Sequence, residues 1–89
     1  MALLQLHLVL TNHWYLETTE GNKRIEYRKM SAHWKKLIWD RREDITHVRF
    51  SKGYTLERTT YEVEKIDIGP CPLEGFDGEY YRIHFKDNT

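Results

Sequence analysis

The chain opens on a run in which Leu4, Leu6, Leu8 and Leu10 alternate with Gln5, His7 and Val9. Successive side chains of a strand point to opposite faces, so this period of two predicts a strand over Ala2 to Leu10. Val9 makes both of its faces apolar enough for a central or barrel position. Thr11 or Asn12 then offers an N-cap for a helix running to about Glu20, with Trp14, Tyr15 and Leu16 near its start and Gly21 as its left-handed stop. A short strand follows, from about Lys23 to Lys29. Alternation puts Ile25 and Tyr27 on one side, the side expected to meet the core, and Arg24, Glu26 and Arg28 on the other. Ser31 caps a second helix, in which Trp34, Leu37 and Ile38 recur at helical spacing and Trp39 widens the stripe. Its other face carries Lys35, Lys36, Arg41 and Arg42.

The second half reads as all-β. From Ile45 to Phe50, Val48 and Phe50 share a face opposite His47 and Arg49, and Ser51-Lys52-Gly53 makes a turn. A long strand runs from about Arg58 to Ile68. Its inward set shifts from Tyr61 and Val63 to Ile66 and Ile68, a phase change that predicts a bulge near Glu64 and Lys65. Gly69-Pro70-Cys71-Pro72 begins an irregular loop that ends at Asp77-Gly78. The last strand sets Tyr81, Ile83 and Phe85 against Tyr80, Arg82 and His84. The order β-α-β-α-β-β-β makes the chain α+β, with about five strands and two helices. A small closed or nearly closed sheet plugged by helices fits this order, and a ferredoxin-like or split α+β sandwich fits it as well. Neither order nor length separates them.

Eighty-nine residues suit one domain, 1–89, with a small core to which three Trp, six Tyr and three Phe contribute much of the burial. A single cysteine, Cys71, excludes an internal disulfide framework and a Cys-rich zinc site, and points to a reducing, cytoplasmic setting. The apolar opening lacks a basic start and a small-residue cleavage site, and is too short to cross a bilayer, so a membrane partner is not expected. The formal net charge is zero, yet residues 23 to 52 hold ten of the fourteen basic residues against four acidic ones, Glu26, Asp40, Glu43 and Asp44. That half is therefore +6 and the remainder −6. Such an asymmetry suits either an anionic partner or a solvated charged helix face. With no net charge, any nucleic-acid binding has to be local.

The segment Gly21-Asn22-Lys23-Arg24-Ile25-Glu26-Tyr27-Arg28 carries the most specific signal. Gly21, Lys23, Glu26 and Arg28 match Gly-x-Lys-x-x-Glu-x-Arg, the signature of the ASCH domains, which have a PUA-like β-barrel fold. An apolar first strand, a helix ending at the motif glycine and a Trp-bearing helix after the motif fall in the order of that family. Phe50-Ser51-Lys52-Gly53-Tyr54 and Ile66-Asp67-Ile68-Gly69-Pro70 also resemble compact ASCH proteins of bacteria and their phages, so the resemblance spans nearly the whole chain.

What the resemblance implies is a cleft beside the motif that receives RNA or a nucleoside, with basic residues meeting phosphate and an aromatic ring stacking on a base. Lys23, Arg28 and Arg49 are the candidate anion contacts, and Glu26 lines the same cleft. Tyr54, Trp34 and Tyr80 are candidate stacking groups, with a core role the stronger reading for Trp34. Some members of the family are amidohydrolases acting on N4-acetylcytidine, and others are ribonucleases. Lys23 stands at the position of the amidohydrolases' catalytic lysine, whereas Glu26 stands where they have a catalytic threonine. A carboxylate serves more readily as a base for water than as a nucleophile, so in an enzyme Glu26 would activate water and Lys23 would stabilise the oxyanion. The family's later acidic partner has no secure match, Glu74 and Glu79 being the nearest. Two readings stand beside recognition and hydrolysis. The motif charges can form an internal ion pair that only positions a strand, and the basic second helix can meet an acidic protein.

Other chemistry finds less support. His7, His13, His33, His47 and His84 show no i, i+4 pairing and no Cys partner, so neither a metal nor another cofactor is expected. His47 and His84 lie on polar strand faces that can approach the cleft. Residue types for a Ser-His-Asp triad occur without supporting spacing, Cys71 has no neighbours in sequence that would activate a thiol, and no glycine-rich phosphate loop is present.

Overall fold

The computed structural model describes residues 4–86; Ala2 and Leu3, the start of the expected first strand, lie outside the described residues. The alternating leucines form β1 (Leu4–Leu10), with Leu6, Leu8 and Leu10 buried and Gln5, His7 and Val9 exposed. α1 (Asn12–Thr19) follows from an extended Thr11, whose side chain makes no capping bond. Gly21 ends it at φ 85°, where the amides of Gly21 and Asn22 turn back to the Thr18 and Glu17 carbonyls at 3.2 and 2.9 Å. β2 (Ile25–Lys29) leads to α2 (Ala32–Leu37), capped by Ser31 Oγ, which accepts from the Trp34 amide at 3.2 Å. The second helix is shorter than its apolar stripe suggests. It breaks at Ile38 and continues as a 3-10 turn, Trp39–Arg41, which lets the Trp39 ring stack on Tyr81 at 5.8 Å.

β3 (Ile45–Lys52), β4 (Arg58–Pro70) and β5 (Glu79–Lys86) complete one five-stranded sheet in the order β1-β3-β4-β5-β2. β1 and β3 run parallel, and the other neighbours are antiparallel. β3 takes in Ser51 and Lys52, so the turn begins only at Gly53, and β4 runs two residues past Ile68 before the irregular loop starts. The register of β4 on β5 shifts between Val63 and Lys65, where the phase of the inward side chains changes. That bulge keeps Tyr61 and Val63 on the same face as Ile66 and Ile68, and bends a long strand around the core. The result is an α+β fold with a sheet curled into a half-barrel and two helices. Leu6, Leu8, Val48, Phe50, Ile83 and Phe85 fill its concave side.

β1 and β2 are the two ends of the strand order. A side chain spans from one to the other: Arg28 donates from Nη2 to the Val9 carbonyl at 3.2 Å. Among the described residues no helix is long and apolar enough to cross a membrane.

Candidate functional site: a carboxylate between two cations at the sheet seam

β2 settles which way the motif faces. Opposed residues of an antiparallel pair point to the same side, and here Glu26 lies opposite Ile83 and Arg28 opposite Tyr81, both core residues. The alternation of the motif is therefore as expected, but its faces are exchanged. Glu26 is buried, 4% exposed, whereas Ile25 and Tyr27 are half-buried and lie opposite His84 and Arg82 on the outer face. The reason is electrostatic. A buried carboxylate is tolerated when cations engage it, and here they engage both oxygens.

Lys23 Nζ donates to Glu26 Oε1, and Arg28 donates to Oε2 from Nε at 3.0 Å, with its Nη2 at 2.7 Å. The Lys23 and Arg28 side chains are only 14% and 18% exposed. Aromatic rings back both cations. The Lys23 ammonium stands 4.9 Å from the Trp14 ring centre, and the Arg28 guanidinium 4.9 Å from that of Trp34. A cleft of about 180 Å³ opens at this point, lined by Lys23, Glu26 and Arg28 together with Trp14, Leu73 and Phe76. The end of β1, Val9 and Leu10, and the following Thr11 also line it. Burial pushes the Tyr27 phenol at its edge above its ordinary value, with Cys71 adding to the effect.

Of the expected binding residues, Lys23, Glu26 and Arg28 thus meet in one cleft. Arg49 and Tyr54 do not join them. Arg49 is exposed and opposes His7 and Thr60, on the side of β3 away from Val48 and Phe50, so the sheet itself separates it from Glu26. Tyr54 is 100% exposed in the loop between β3 and β4 and is not part of the cleft lining. Trp34 packs against the core beneath Arg28, and Tyr80 sits edge-on to Phe76 outside the cleft. Glu74 and Glu79 are exposed and absent from its wall; the acidic partner of Lys23 is Glu26 itself.

Trp14 is the functional candidate that sequence reading passed over. It was legible only as a helix-start aromatic, because nothing local says that the Gly21 turn folds Lys23 back over its ring. A second charged group lies on the outer face. Asp67 accepts from Arg82 Nε at 2.8 Å and Nη2 at 2.9 Å, and from His84 Nε2 at 3.0 Å. The Arg82 bonds foremost, against the opposing effect of burial, hold the Asp67 carboxyl down to about 2. His84 therefore serves this cluster and not the cleft, and His47 bonds Thr46 Oγ1 at 2.9 Å. Among the described residues no three His, Cys, Asp or Glu side chains gather as a metal site.

No family model, no curated protein and no solved structure matches the chain.

Proposed function

We propose that this protein is a compact ASCH-like, PUA-fold module that binds RNA or a nucleoside in the cleft formed by Lys23, Glu26 and Arg28. The motif resemblance and the curled five-stranded sheet with two helices support the fold part of this reading. The observation that carries the ligand part is the buried Glu26 clamped between two cations beside an aromatic face, Trp14, at an open cleft. Two cations give phosphate or a carbonyl donors to meet, a carboxylate can accept from an exocyclic amine, and a half-buried indole offers a stacking surface. Titration of the 15N-labelled protein with cytidine and with a short single-stranded RNA tests it. Shifts of the Trp14 indole and of the Lys23 to Arg28 amides are expected, and a spectrum unmoved by either ligand would remove both nucleic-acid readings.

The second reading is a hydrolase of an acylated cytidine or of RNA, favoured by the direct bond from the Lys23 ammonium to Glu26. In it Glu26 takes the proton of an attacking water and Lys23 meets the oxyanion. Both oxygens of Glu26 already accept from cations, which suits a positioning role better than that of a base. Turnover of N4-acetylcytidine by the wild type and its loss in Lys23→Ala would favour the enzyme. Binding that persists in Glu26→Gln without turnover in the wild type would favour recognition.

A further inference from the structure

We infer that the cleft continues into a second compartment that takes the neighbouring base of a single RNA strand, so that the ligand is a dinucleotide unit or longer and not a lone nucleoside. This inference rests on the nucleic-acid reading above. The first compartment, about 180 Å³, is smaller than the roughly 300 Å³ at which compact ligand sites begin. Beside it lies a hollow of about 360 Å³, and the two share Trp14, Lys23, Tyr27 and Leu73 as common wall. The hollow is built on the other side of β2. Ile25 points away from Glu26 into it, and Pro72 faces Ile25 from the loop after β4.

Its chemistry suits a planar heteroaromatic ring. Trp14, Ile25, Tyr27, Pro72 and Leu73 make the wall apolar and partly aromatic, while Glu17 adds an acceptor, Asn22 an amide able both to donate and to accept, and Arg24 a guanidinium. An apolar slot with a few polar groups along one side is how unstacked bases are held. Lys23 stands where the two compartments meet, and only one of the three N–H groups of its ammonium is given to Glu26. The others can meet the phosphate joining two nucleotides. β2 ends the strand order, so a ligand can pass round its beginning. Only a flexible single strand makes that bend, which excludes a stiff duplex.

Cytidine and the dinucleotide CpA, titrated into protein labelled at Ile and Leu methyls and at Trp indoles, test the inference. CpA is expected to bind about tenfold or more tightly than cytidine, and to shift the Ile25 methyls, which line only the second compartment and which cytidine leaves in place. In Ile25→Trp, which fills the second compartment, the ratio of the two affinities should fall to about one. Equal affinities, or silent Ile25 methyls, while cytidine still moves the Trp14 indole would overturn the second compartment and leave the cleft reading intact. If neither ligand moves Trp14, both fail together.

Discussion

Glu26 illustrates how a single residue can belong to the core and to a site at once. It is as buried as the leucines of β1, yet it is paired on both oxygens. Removing one member of a buried ion cluster strands the others, a loss of about 3 kcal/mol or more. Glu26→Ala should therefore lower the unfolding free energy by about that amount in a denaturant titration, more than Glu74→Ala or Glu79→Ala, whose carboxylates are exposed. The motif also marks the limit of reading periodicity. Alternation along β2 correctly says which side chains share a face, but not which face the sheet turns inward. Ile25 and Tyr27 look like core residues by composition, and the inward positions go to charges because those charges neutralise one another. Arg49 and Tyr54 have the charge and ring chemistry of the cleft, whereas strand pairing puts Arg49 behind the sheet and Tyr54 lies exposed in the loop between β3 and β4.

Among the elements, β4 and β5 are tied on the outer face by the Asp67, Arg82 and His84 cluster. The Asp67 carboxyl titrates lower in the folded chain than its ordinary 3.8, down to about 2. The stability it contributes is thus complete above that ordinary value and is lost as pH falls through the folded value near 2. Thermal melts between pH 5 and pH 2 should show a steeper acid loss for the wild type than for Asp67→Asn, the two curves converging at the acid end. Gly69 supports the same tie from beneath. A Cβ there would lie 2.5 Å from Arg82 Cζ, so in Gly69→Ala the flexible end of Arg82 has to shift, at the expense of its bonds to Asp67. It should lower the melting temperature in the wild type and much less so in an Arg82→Ala background, a coupling that a double-mutant cycle measures. At Gly21 the constraint is different, since φ 85° is costly for any residue with a Cβ. Gly21→Ala should cost about 1–2 kcal/mol. The bulge at Val63–Lys65, the Gly21 stop and the Ser31 cap were legible because each has a local cause in phase, backbone or side-chain chemistry. The break after Leu37 was not, because the stacking of Trp39 on the distant Tyr81 accompanies it.

On the scale of the whole molecule, the half-barrel ends at β1 and β2, and the candidate site lies between them. α+β class, strand number and element order follow from patterning, whereas the strand order that brings Val9 opposite Arg28 depends on contacts far apart in the chain. Phe50, at the centre of the curl against Tyr61 and Phe85, holds that shape. Phe50→Ala should cost about 3–5 kcal/mol in denaturant unfolding. In the proposed nucleic-acid site at the seam, Arg28 both bridges the sheet ends and faces the ligand. The most direct measurement is the affinity of a short single-stranded RNA for the wild type and for Arg28→Ala, each checked for folding by its amide spectrum. Saturable binding that moves the Trp14 indole, weakened at least about tenfold by Arg28→Ala, is the predicted result. A wild type that binds no RNA or nucleoside, or binds equally well without Arg28, would contradict it.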